Sequence, residues 1–145
     1  MPDRTAIVTG ASRGLGLELT RRLASDGWQV IVDARDGAEL EAAVAGLASV
    51  EAVPGDVTDA GHRRELVAAA QRLGDLGLLV NNASSLGPSP LPELAALELD
   101  ALRALLEANV VAPLALMQAC LPLLERAGGT IVNVTSDAGV EGYPG

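Results

Sequence analysis

The chain switches period five times. Short β-rich runs, Ala6-Ile7-Val8, Val30-Ile31-Val32, residues 50–53, Leu78-Leu79-Val80 and Ile131-Val132-Asn133-Val134, are separated by longer stretches whose apolar residues return every three or four positions. That alternation is the pattern of βαβ units, and right-handed crossovers turn it into a parallel sheet with helices on both faces. The first helical stretch carries Leu15, Leu19 and Leu23 and closes at Gly27. In the second, Asp36 and Glu39 resemble a capping box ahead of Leu40, Val44 and Leu47. Thr58 or Asp59 caps the third, with Leu66, Ala70 and Leu73 on its inner side. A Ser/Gly/Pro-rich loop over residues 84–92 precedes the last helical stretch. There Leu102, Leu105 and Leu106 lead on to Leu114, Met117, Leu121 and Leu124, and Pro113 is placed to kink or divide the helix. Gly128-Gly129 ends it. No interior linker appears, so residues 1–145 are expected to form one domain.

Composition narrows the core. Apolar residues make up 49% of the chain, yet there is one Trp, one Tyr and no Phe. The interior must then be built from Ala, Val, Leu and Ile, which suits parallel strands covered by helices. A net charge of −9 disfavours a nucleic-acid partner. All ten cationic residues are Arg; the chain contains no Lys. The lone Cys120 has no partner for an internal disulfide, fits a reducing compartment and reads as core filler in an apolar helix. Asp3 and Arg4 interrupt any apolar leader, and the apolar runs look too short to cross a bilayer, so the protein is expected to be soluble and cytoplasmic. His62, beside Arg63 and Arg64, reads as a solvated group on an exposed helix face. No His/Cys/Asp cluster has metal-ligand spacing.

Between the first strand and first helix lies Thr9-Gly10-Ala11-Ser12-Arg13-Gly14-Leu15-Gly16. Gly10 lets the chain turn sharply off the strand. Gly14 removes a side chain where a pyrophosphate approaches the backbone, and Gly16 allows close packing of the helix. The free N–H groups and positive dipole end of the helix then favour an anion.

The spacing Gly-x-x-x-Gly-x-Gly after Thr resembles the compact short-chain dehydrogenase/reductase family. It differs from the GxGxxG of other Rossmann enzymes and from the TGxxGxxG of the extended, epimerase-like branch, which disfavours an epimerase or dehydratase. Further motifs follow in the family's order. Asp56 in Gly55-Asp56-Val57 matches the acid that binds the adenine amine. Asn81-Asn82-Ala83 matches the family's Asn-Asn-Ala-Gly, with Ser84 where the Gly usually stands. Asn109 matches the helix Asn of the catalytic tetrad, and Ser136 the catalytic Ser. The resemblance implies a Rossmann-type three-layer α/β/α fold whose parallel sheet stops after about five strands, so that the fifth is an unprotected edge. It also implies a nicotinamide dinucleotide coenzyme, an alcohol or carbonyl substrate, and homo-oligomerisation when full length. In this reading Gly10, Ser12, Arg13, Gly14, Leu15, Gly16 and Arg35 hold the phosphates and ribose. Asp56 and Val57 meet the adenine, and Asn82 and Ala83 border the ribose. Asn109 also shares a helical face with Leu102, Leu105 and Leu106, which is expected to point its amide toward the sheet.

Coenzyme choice turns on the end of the second strand. An acid there bonds a 2′-hydroxyl and rejects a 2′-phosphate; an Arg does the reverse. The family's selecting position falls on Ala34, followed by Arg35, and Arg13 adds a second positive charge, which favours NADP(H). A register slip of one would instead make Asp33 the NAD-selecting acid. In this family a Tyr moves the proton and a Lys four residues later lowers its pKa, since an unperturbed phenol at ~10 stays protonated at neutral pH. That Tyr-x-x-x-Lys is expected about thirteen residues after Ser136. Tyr143 stands seven residues on and reads as a loop residue at the pocket rim. The tetrad is thus represented by Asn109 and Ser136, and no carbonyl reduction is expected from these residues alone. Two functions stay open: an NADP(H)-dependent oxidoreductase seen through its N-terminal part, and a noncatalytic dinucleotide-binding module.

Overall fold

The computed structural model describes residues 4–141, so the expectations for the leader region before Arg4 and for Tyr143 fall outside the described residues. The strands are β1 (Thr5–Val8), β2 (Gln29–Val32), β3 (Val50–Ala52), β4 (Leu76–Asn81) and β5 (Thr130–Asn133). The helices are α1 (Gly14–Ser25), α2 (Gly37–Val44), α3 (Ala60–Leu73), α4 (Leu99–Leu106) and α5 (Ala112–Ala127). All neighbouring strands pair in parallel, in the order β3-β2-β1-β4-β5. The order reverses between β1 and β4. Chains leaving these two strands diverge, and a crevice opens at their C-terminal ends.

The β-period sorts the core into two layers. Ile7, in register with Ile31 and Leu79, faces α3 and α5 with Leu66, Ala70, Leu116 and Leu124. Ala6, Val8, Val30, Val32 and Val80 face the other way, against Leu40 and Val44 of α2 and Leu17, Leu19 and Leu23 of α1. Leu15 departs from its expected place and is 55% exposed. It follows Gly14 at the very start of α1, before that helix has run back over the sheet.

Helix starts follow the polar residues. Asp36 accepts from the Glu39 N–H at 2.9 Å, and Asp59, rather than Thr58, accepts from the His62 N–H at 2.7 Å. Thr58 is occupied instead by Asp56. The expectation of a solvated His62 is wrong: the residue is 6% exposed. It sits four positions before Leu66 and eight before Ala70, so it shares the buried face of α3.

From Leu99 to Ala127 the chain is one continuous helix of 29 residues. Pro113 does not break it. The irregularity lies just upstream, where Glu107–Val111 winds as a π-helical segment. Proline lacks an N–H and crowds the carbonyl four residues back, here that of Asn109, and a wider turn relieves both. The expectation that no stretch is long enough to span a bilayer also fails, because this helix is long and apolar enough by length and composition. Apolar runs in the sequence are interrupted by Glu107 and Asn109, whereas the helix runs through them. Its α5 half buries Ala112, Leu116, Cys120, Leu123 and Leu124, as a helix lying on a sheet does. Leu102, Leu106, Val110, Leu114 and Leu121 are exposed on it. Among the described residues β3 and β5 are the sheet edges, and besides the strand pairing β5 is tied to β4 by a hydrogen bond from Asn81 Nδ2 to Asn133 Oδ1 at 2.8 Å.

Two outcomes follow from this packing. Leu79 is fully buried in the central strand pair, and Leu79→Ala is expected to cost about 2–5 kcal/mol of unfolding free energy in a denaturant titration. Burial pushes the Cys120 thiol up to about 12. Since the thiolate is the nucleophile, iodoacetamide should label the folded chain about a thousandfold more slowly than the chain in denaturant at pH 8.

Candidate functional site

The crevice beyond β1, β2 and β4 holds a cavity of about 610 Å³. One wall is the turn after β1. Gly10 has φ +67°, and a Cβ there would lie 2.8 Å from the Ala83 Cα, so both conformation and space demand glycine. The Thr9 hydroxyl accepts from the N–H groups of Asn82 and Ala83, both at 3.0 Å. The Asn82 amide donates back to the carbonyls of Thr9 (2.9 Å) and Gly10 (3.0 Å). These four bonds join the exits of β1 and β4. Gly16 lies under the same joint, where a Cβ would strike the Gly10 carbonyl and the Asn82 amide. Its close packing is therefore against the turn rather than the strands. At Gly14, φ is +57° and the Cβ position is open space. The first turn of α1 begins at this residue, and the start of a helix is the end that favours an anion.

Arg13 and Arg35 are exposed and line the cavity, together with Ser12, Ala34 and the acids Asp36 and Glu39. Asp33 also borders it, but its carboxylate is engaged on both oxygens. Oδ1 accepts from the Gly10 N–H at 2.8 Å, and Oδ2 lies 2.9 Å from His62 Nε2.

Gly55, Asp56, Val57 and Thr58 also line the cavity. Asp56 Oδ1 accepts from the Thr58 N–H (2.9 Å) and Thr58 hydroxyl (2.8 Å). The Thr58 N–H holds the Asp56 carboxyl below its ordinary range, assisted by the Thr58 hydroxyl and the Arg35 and His62 charges and opposed by burial. A carboxylate kept ionised in this way is an acceptor for an amino group.

Of the residues singled out in the sequence, Gly10, Ser12, Arg13, Arg35, Asp56, Val57, Asn82 and Ala83 meet at the cavity. Gly14, Leu15, Gly16, Asn109 and Ser136 do not line it. The expected inward, buried amide of Asn109 is not found. The residue is exposed, and its side chain bonds both the N–H and the carbonyl of Ser85, each at 2.8 Å. The inward orientation requires regular helical spacing through position 109, and the π-helical segment breaks it. Ser136 is exposed beyond β5. Its hydroxyl donates to Asp137 at 3.2 Å and accepts from the Ala138 N–H at 3.1 Å. Sequence reading missed Ala104, Glu107 and Ala108, which also line the cavity. Their spacing along one helix face was the available signal.

The sequence profile of the short chain dehydrogenase family matches residues 4–145. The L-fucose dehydrogenase of Rattus norvegicus is 34% identical over 96% of this chain and 51% of its own. An alcohol dehydrogenase from the archaeon Thermococcus sibiricus, solved with 5-hydroxy-NADP, superposes with a TM-score of 0.87 at 31% identity. That match covers 97% of this chain and 61% of that one. An actinorhodin polyketide ketoreductase variant solved with NADPH gives 0.88 at 32% identity, over 97% and 56%. The chain spans about half the length of the curated relatives it matches, 51% to 56% of the first three. Because the family profile runs through every element from β1 to the turn after β5, the chain is a member of the short-chain dehydrogenase family.

Proposed function

We propose that the protein is an NADP(H)-dependent oxidoreductase that moves hydride between a nicotinamide and an alcohol or carbonyl compound. The carrying observation is the pair Arg13 and Arg35 lining one cavity, with Ala34, not an acid, at the deciding place. The coenzyme would supply the hydride. Backbone N–H groups of Ser12 through Gly16, Leu15 included, would bind its pyrophosphate, and the two arginines a 2′-phosphate. The bonds of Asp56 to Thr58 both fall on Oδ1, which leaves Oδ2 to accept the adenine amine beside Val57. Asn82 and Ala83, fixed by Thr9, would border the ribose. The Ser136 hydroxyl would orient the reacting oxygen, and Asn109 would hold the loop at Ser85 beneath the substrate. NADP and NADPH complexes among the structural relatives support this reading.

We assign the protein to the cytoplasm and its residues 1–145 to one coenzyme-binding domain. Self-association through the apolar face of α4 and α5 is part of the proposal.

Titration with both coenzymes tests the first function. NADP⁺ should bind more tightly than NAD⁺, and Arg35→Ala should shrink that preference by roughly ten- to a hundredfold, as expected for a lost charge-assisted bond. Tighter binding of NAD⁺ by the unaltered protein would refute the roles of Arg13 and Arg35. The 145-residue chain should bind coenzyme yet show no carbonyl reduction in an NADPH-consumption assay. Measured turnover would overturn the need for Tyr-x-x-x-Lys.

A further inference from the structure

Among the described residues, Asp33 and His62 are the only buried carboxylate and imidazole, at 1% and 6% exposure. Asp33 stands directly before Ala34 at the edge of the cavity where the 2′ position of a coenzyme would lie. A carboxylate free to turn toward that edge would accept a bond from a 2′-hydroxyl and repel a 2′-phosphate. It is not free. The Gly10 N–H holds one oxygen at 2.8 Å, and His62 Nε2 holds the other at 2.9 Å.

His62 is an expensive way to fill its place. It lies on the buried face of α3, where an aliphatic side chain would meet the same neighbours without a polar atom to satisfy. Its Nδ1 is buried and has no hydrogen-bond partner among the described residues. Gly55 leaves the room for its ring, and a Cβ there would strike Nδ1. An unsatisfied nitrogen costs stability. The compensating contact is the one to Asp33.

We propose that His62 is a positioning residue for coenzyme selection, which by holding Asp33 Oδ2 inward keeps an acid off the ribose edge and leaves that edge to Arg35. The proposal rests on the NADP(H) reading for the identity of the favoured coenzyme. It differs from that reading in what it explains: why an acid beside the selecting position does not select.

The test is the ratio of NAD⁺ to NADP⁺ dissociation constants, measured by calorimetry on the purified protein. His62→Leu should lower the ratio by about tenfold, the effect of one charge-assisted bond gained or lost. His62→Gln, whose amide nitrogen takes the place of Nε2, should keep it within about threefold. In the Asp33→Asn background, His62→Leu should leave the ratio within about threefold of that background alone. If His62→Leu does not fold, His62→Asn decides, being polar but too short to reach Oδ2, and it should move the ratio in the same direction. Equal weakening of both coenzymes with an unchanged ratio would show a merely structural role and overturn the proposal. So would a shift that persists in the Asp33→Asn background. A preference of the unaltered protein for NAD⁺ would end the NADP(H) reading alone, since the change in ratio on altering His62 is read separately.

Discussion

The turn after β1 lies hard against the chain leaving β4, and the site is built on that approach. Gly10 lies so near the Ala83 backbone that no side chain fits between them. Everything around the cavity is referred to this contact. Thr9 and Asn82 bond across it in both directions, and Asp33 fixes its far side through the Gly10 N–H. The start of α1 is thereby set against three strand ends at once. Binding a ligand at the first turn of that helix then needs little ordering, because the backbone donors are already held in place.

Much of this was legible in the sequence, for a physical reason. Parallel strands buried on both faces must be almost wholly apolar, so β1, β2 and β4 announce themselves as short Val/Ile/Leu runs. Caps at Asp36 and Asp59 are local, and local chemistry is readable. The glycine turn is readable because only one residue type tolerates its geometry. Eight of the residues singled out for coenzyme binding do meet at one cavity, since each lies at or just after a strand end.

The failures share a cause as well. Ideal helical spacing points Asn109 inward, but the segment that carries it winds as a π-helix, and nothing local to Asn109 signals that. The nearest cue is Pro113, four residues on. The charged neighbours of His62, Arg63 and Arg64, suggest exposure, whereas its spacing from Leu66 and Ala70 puts it inside. Its partner Asp33 is 29 positions away, and no local pattern announces a contact that only the fold creates. The 29-residue helix does not show as an uninterrupted apolar run, because a helix needs only continuity of backbone.

The two bonds between Asn109 and Ser85 have a chemical consequence. One side chain meets both polar groups of a single peptide residue, as an adjacent strand would. Only a carboxamide offers an acceptor and a donor side by side at that reach. Aspartate would set oxygen against the Ser85 carbonyl, and leucine would leave both groups unanswered. The loop after β4 is thus anchored to the long helix by a chemically exclusive position, and its register along that helix cannot slide by a residue without losing both bonds together.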